Sequence, residues 1–205
     1  MTKLIEGIIN LPVYFSSKDN SFFNNAVYSF VEKLSAKQQS VDYYVAKRKA
    51  FNEQRVKDNI FLGKKAELFV LEGLKKKFNM PYGKIDFAIR QGKEKGWQCD
   101  LIYPNYNIHV KCCDQRTFDY CQDYSWTFQL SEQYGTDELF KNTNNKNEYV
   151  VFVFIKKQED NQAIIKAIMS ISEIMPLLKD PKKKELITVK RCLYYKDIEK
   201  LYGTK

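Results

Sequence analysis

Four residues carry the chemistry that this sequence could do: Glu67, Asp100, His109 and Lys111. Carboxylates bind metal ions or move protons, an imidazole does either, and an amine neutralises an anion. Each residue is placed by the pattern around it. Residues 64–78 read as a helix on which Glu67, Leu71, Leu74 and Phe78 share one stripe, with Val70 beside them. Lys65, Glu72, Lys75 and Lys76 fall on the opposite face. Glu67 is thus expected to face the core, where a carboxylate stripped of water needs a partner. Two partners are open to it: a lysine bridging it at the boundary, or a metal or catalytic lysine.

The other three residues sit on two strand candidates, 97–103 and 107–113, joined by a Pro-Asn turn. Trp97, Cys99, Leu101 and Tyr103 alternate with Gln98, Asp100 and Ile102; Ile108, Val110 and Cys112 alternate with His109, Lys111 and Cys113. Matching the apolar faces pairs Tyr103 with Ile108, Leu101 with Val110 and Cys99 with Cys112, leaving the loop 104–107. Asp100 then lies opposite Lys111, and His109 opposite Ile102. The three polar residues share a face, with opposed Cβ atoms about 5 Å apart.

The elements that must position them are read from periodicity. Residues 21–59 lack proline and glycine and read as helices, with Phe22, Phe23, Ala26, Val27, Phe30, Val31 and Leu34 at helical spacing. Phe61-Leu62-Gly63 interrupts them before the Glu67 helix, which ends at Asn79-Met80-Pro81. Residues 84–90 alternate as a strand, with Ile85, Phe87 and Ile89 on one face, and 91–96 form a turn. Residues 124–130 alternate as well, a helix is expected over 131–141, and the apolar run 149–155 suits a strand buried on both faces. Residues 163–170 are expected to pair with that run. Short helices at 173–178 and 195–202 enclose a strand at 186–193. The expected fold is α/β, a central mixed sheet flanked by helices. It divides into an N-terminal helical region, 1–60, and an α/β domain, 61–205.

The chain has 205 residues, 44% of them hydrophobic, enough for one full core. Its 34 Lys and Arg against 25 Asp and Glu leave a net charge of +9, which favours polyanionic partners, nucleic acid foremost. Single clusters such as 47–49, 75–77 and 182–184 are ordinarily solvated faces. No apolar run reaches the ~20 residues of a membrane span, and Glu6 interrupts the apolar N-terminus. The expectation is a soluble, cytoplasmic protein with no membrane partner. Five cysteines, at 99, 112, 113, 121 and 192, lack the spacing of zinc knuckles and read as buried thiols. Trp126, Tyr134 and other tyrosines could stack on exposed bases, though packing is their ordinary role. No phosphate-binding glycine loop or dinucleotide fingerprint is present.

A helix bearing Glu67, a strand bearing Asp100, and a strand carrying His109-Val110-Lys111 resemble the PD-(D/E)XK nuclease superfamily. The helix opening Gly63-Lys64-Lys65-Ala66-Glu67 is similar to the first core helix of many members. The likeness spans residues 61–155 and leaves the N-terminal helices unaccounted for.

The resemblance implies a restriction-endonuclease-like core and metal-dependent DNA cleavage, more in keeping with an endonuclease. A restriction-type, a structure-specific and a phage or repair enzyme all fit, as does a homodimer that cuts both strands. It implies Mg2+ or Mn2+ bound by Asp100, by Glu67 directly or through water, and by the backbone carbonyl of Val110. Lys111 would shield the phosphate and orient the water. Lys64, Lys65, Arg116 and Gln129 would be its nucleic-acid contacts; some relatives carry a glutamine after the catalytic lysine. The chain departs from the motif at Cys99, where proline is usual, and at His109, where the second acid stands. The imidazole could be a ligand, a general base or a donor to phosphate. The lost charge leaves open weaker magnesium binding, a carboxylate from Asp86 or Asp114, or lost activity. Imidazole suits manganese better than magnesium. A non-catalytic nucleic-acid-binding protein on a decayed nuclease fold, and an RNA nuclease, are the alternatives.

Overall fold

The computed structural model describes residues 3–10, 53–80, 82–85, 99–131, 135–136, 140, 147–157 and 160–203. Its longest element is helix α1 (Glu53–Phe78). It passes unbroken through Phe61-Leu62-Gly63, where an interruption was expected. A glycine within a helix costs only about 1 kcal/mol relative to alanine. The burial of Phe61, Ala66, Phe69, Val70 and Leu74 on either side outweighs that cost. The helix ends at Asn79, whose φ of 51° turns the chain into the left-handed region.

Nine strands accompany it among the described residues: β1 (Lys3–Asn10), β2 (Lys84–Ile85), β3 (Leu101–Ile102), β4 (Asn107–Asp114), β5 (Ser125–Ser131), β6 (Gly135–Thr136), β7 (Glu148–Ile155), β8 (Gln162–Ser170) and β9 (Lys190–Tyr194). The remaining α-helices among the described residues are α2 (Gln115–Cys121), α3 (Ile171–Ile174) and α4 (Tyr195–Tyr202). The first ten residues thus hold a strand, not a helix; the helices expected over residues 21–52 lie outside the described residues. Residues 86–98 lie outside them too, with most of the expected 84–90 strand. The helix expected over 131–141 is contradicted at its start, where β5 runs to Ser131 and β6 folds back on it. A 3-10 turn, Lys184–Leu186, stands at the start of the strand expected over 186–193, which begins at Lys190.

The main sheet is mixed, in the order β1-β8-β7-β4-β3-β2, and among the described residues β4 and β7 are its one parallel pair. A second sheet, β6-β5-β9, lies apart from it. β7 holds the centre as its unbroken apolar run requires, with every residue from Val150 to Ile155 buried. Its side chains alternate between two cores. Val151, Val153 and Ile155 pack with Ile108, Leu101 and the α1 residues Ala66, Phe69, Val70 and Leu74. Val150, Phe152 and Phe154 pack with Trp126 and Phe128 of β5, Leu193 of β9 and Ile198 of α4. Helix α1 therefore covers one face of the main sheet, and the second sheet with α4 covers the other. The Trp126 indole N–H ties the two sheets together, donating to the Val153 carbonyl at 3.1 Å.

No helix among the described residues is long and apolar enough to cross a membrane.

Candidate functional site

Strand β4 decides where the chemistry-bearing side chains go. It runs parallel to β7 with Val110 beside Val151 and Lys111 beside Phe152. Ile108, Val110 and Cys112 consequently face α1. His109, Lys111 and Cys113 take the other face, and Lys111 Nζ lies 5.1 Å from the centroid of the buried Phe128 ring. On β3, Leu101 belongs to the α1 face; Asp100 stands in a bend just before the strand, and its carboxylate turns to the β4 backbone at Val110.

The register differs from the expected one. Leu101 pairs with Ile108 and Ile102 with Asn107. Continued by one residue, that pairing sets Asp100 opposite His109, not Lys111. The loop keeps four residues but becomes 103–106. A slip of two residues leaves every side chain on its own face, so the hydrophobic pattern does not distinguish the two registers. Packing does: the Tyr103 ring turns in beneath Gly83, where a Cβ would lie 2.2 Å from Tyr103 Cζ.

Asp100 has structural work of its own. Backbone pairing of β3 with β4 ends at Leu101 and Ile108. Two residues on, the Val110 N–H donates to Asp100 Oδ2 at 2.7 Å. The carboxylate stands in for the missing strand, which fixes its own position at the Val110 backbone.

Glu67 is buried, as its stripe predicted, with 5% exposure. Its carboxylate accepts from Lys64 Nζ at 2.8 Å, the bridged arrangement that the helix spacing left open. It sits on the helix that covers the face opposite Asp100, His109 and Lys111. Among the described residues, no group of three or more His, Cys, Asp or Glu side chains could hold a metal ion. The structure thus brings the Asp100 carboxylate to the Val110 backbone, between His109 and Lys111 in sequence, and forms no ligand set of Glu67, Asp100 and His109.

Of the expected nucleic-acid contacts, Lys65 is 4% exposed and not on an open face of the helix. Burial around residues 65–70 extends beyond one stripe, which the helical pattern alone did not reveal. Lys64 is turned to Glu67. Gln129 is half-buried on β5 beside Lys190 of β9. Arg116 is exposed, and its guanidinium grips Asp114 through Nε at 2.8 Å and Nη2 at 2.7 Å. Trp126 is fully packed in the core and offers no stacking surface.

Helix α2 went unread in the sequence, although Asp114 signals it. Asp114 caps the helix, accepting from Thr117 N at 2.9 Å and Thr117 Oγ1 at 2.7 Å. Burial by itself would raise the Asp114 pKa, but the bonds from Thr117 and Arg116 prevail and hold it below the ordinary value. Lys166 was also missed. It is the extra residue of a bulge in β8, skipped where Val153 pairs with Ile165 and Phe152 with Ala167. Its amine is buried between the rings of Tyr124 and Tyr195, 4.5 and 4.2 Å from their centroids. The five cysteines are free thiols, and those at 113, 121 and 192 are buried.

A divalent ion places limited demands on this set. Magnesium keeps much of its water shell and needs one or two protein carboxylates. Asp100 and His109 together supply one carboxylate and one imidazole, with the Val110 backbone alongside. Among the described residues they are not part of a closed cage of His, Cys, Asp or Glu ligands.

Comparisons with known proteins return no match: no family model fits the chain, and no curated protein or solved structure is significantly similar to it.

Proposed function

We propose that the chain is a divalent-metal-dependent nuclease that hydrolyses DNA phosphodiester bonds, more in keeping with an endonuclease. The observation that carries this reading is the Asp100 carboxylate held at 2.7 Å on the Val110 N–H, between His109 and Lys111 of β4. Asp100 immediately precedes the second strand, and His109 and Lys111 lie on the third, of a meander that follows a glutamate-bearing helix. That is the element order on which the resemblance to PD-(D/E)XK nucleases rests. The net charge of +9 supports a polyanionic substrate.

The roles follow from the side chains. Asp100, anchored through Oδ2, would hold the ion beside His109. Lys111 would approach a non-bridging phosphoryl oxygen and offset the charge that grows there in the transition state. His109 would either share the ion or take a proton from the attacking water. A bound divalent ion would supply Lewis-acid charge and a more acidic water. Glu67, paired with Lys64, is left out of the direct ligand set.

A second reading has a specific observation in its favour. With no three-ligand group among the described residues and a histidine where an acid is expected, the chain could bind nucleic acid without cutting it. Plasmid and linear DNA, with matched RNA in parallel, would be incubated with magnesium or manganese. The nuclease reading expects DNA cleavage that Lys111→Ala reduces by about 10²–10³-fold. Cleavage retained in that variant removes Lys111 from the reaction. Calorimetry with manganese should reveal a site that Asp100→Asn abolishes. Nucleic-acid binding with neither cleavage nor a manganese site selects the second reading.

A further inference from the structure

Phe128 of β5 is fully buried, yet a lysine amine lies over its ring. Lys111 Nζ stands 5.1 Å from the ring centroid, inside the ~6 Å at which a ring face attracts a cation. The strand register explains the meeting. Lys111 of β4 pairs with Phe152 of β7, and Phe128 meets the Phe152 ring edge-on at 6.2 Å. A second edge contact, with Phe140 at 5.2 Å, steadies another side of the ring. Two residues back along β5, Trp126 ties the strand to the main sheet through its bond to the Val153 carbonyl at 3.1 Å. The ring is therefore fixed, whereas a lysine stem rotates freely until something holds its end. Lys111 itself is half-buried, so its stem is packed but the residue is not sealed from solvent.

We propose that Phe128 positions the Lys111 amine, holding it by the ring face on the His109 side of β4 before any phosphate arrives. Phe128 is a positioning residue: it acts through Lys111 and touches no reacting atom. The inference rests on the nuclease reading for what the amine does, and on the contact alone for where the amine is held. A ring face attracts the ammonium through its quadrupole and carries no net charge. It orients the amine and leaves the positive charge available to the phosphoryl oxygens, where a carboxylate in the same place would cancel it. The second sheet is then part of the site and not only a cover, because β5 carries the ring.

Phe128→Leu would empty part of the core, so the test replaces Phe128 in the full chain with mono-, di- and trifluorophenylalanine. Each added fluorine drains negative potential from the ring face and changes its volume little. The first readout needs no catalysis. It is the rate at which a succinimidyl ester acylates Lys111, followed by peptide mass spectrometry with the exposed Lys156 and Lys157 as references. A held ammonium must leave the ring and lose its proton before it reacts. Lys111 labelling should therefore rise stepwise, by about 2- to 5-fold across the series, while the references and the melting temperature stay level. A lysine stem merely packed on a core ring would show no such trend, and flat labelling overturns the proposal. The second readout is plasmid cleavage with magnesium or manganese. There kcat should fall stepwise by a similar factor with KM unchanged, the mark of an interaction made in the transition state. Cleavage that holds at the wild-type rate while labelling rises overturns the positioning role. Stepwise labelling in a chain that cleaves nothing with either metal supports the held amine and refutes the nuclease.

Discussion

Asp100 is assigned two jobs, and a pair of substitutions separates them. Its carboxylate holds the Val110 N–H at 2.7 Å where the β3 ladder stops, and in the proposed reaction it also holds the ion. Asp100→Ala removes both functions. The Val110 N–H then loses its partner, at a cost of about 1–3 kcal/mol for a part-buried donor. For a chain of this length that is a fall in melting temperature of about 2–12 °C. Asp100→Asn keeps an amide oxygen that can accept the same hydrogen bond. It loses only the charge-assisted part, about 1 kcal/mol or less, or about 1–4 °C. Nuclease activity should fall in both variants by about 10²-fold or more, since neither retains a carboxylate for the ion. Differential scanning calorimetry and plasmid cleavage on the same preparations give the two readouts. An Asp100→Ala protein that melts with the wild type refutes the anchoring argument. An Asp100→Asn protein that cuts at the wild-type rate removes Asp100 from the chemistry.

Other outcomes follow from the same geometry. Manganese should support cleavage at least as well as magnesium, because an imidazole beside Asp100 favours the softer ion; a preparation active in magnesium and dead in manganese would discard His109 as a ligand. Asp114→Ala should remove about 1 kcal/mol at neutral pH through loss of the α2 cap. Because the folded pKa of Asp114 is depressed, its contribution is present above its ordinary value and is lost as pH falls through the folded one. The melting gap between wild type and Asp114→Ala should therefore close on acidification, and a gap that widens would contradict the assigned hydrogen bonds. Gly83→Ala should destabilise by about 1–3 kcal/mol, since its Cβ would meet the Tyr103 ring at 2.2 Å; trimming that ring in a Gly83→Ala, Tyr103→Leu double variant should recover part of the loss, as thermal melts would show.

What could be read from the sequence divides along physical lines. Strands β4, β5, β7 and β8 and helix α4 are legible because each buries a periodic or continuous apolar set. The shared face of His109 and Lys111 is legible for the same reason: alternation assigns faces without reference to a partner. Register is not, because a two-residue slip preserves faces and the Tyr103–Gly83 contact that decides it lies between distant segments. The seven-residue helix α2 is too short for periodicity, and only its Asp114-x-x-Thr117 cap announces it. The expected break at Gly63 failed because packing on both sides overrides a modest local preference. Assignment of β5 to a second sheet was out of reach, since alternation reports one buried face and not which layer buries it. Glu67 was correctly expected to be buried, but its partner Lys64 lies a single turn away, and the helical stripe could not say whether the carboxylate reached past the sheet.

One of the two edge strands of the main sheet is β1, residues 3–10. β1 lies against β8 through pairs that run from Lys3 with Ile168 to Asn10 with Gln162. Strip those residues away, and a nine-residue row of backbone donors and acceptors along β8 would be laid bare. Such a row is a template for any other extended chain. A protein shortened at its amino end should therefore self-associate in ribbons or gather into precipitate, even though the polar face of β4 lies two strands away. Affinity tags for recombinant work are best carried at the opposite terminus.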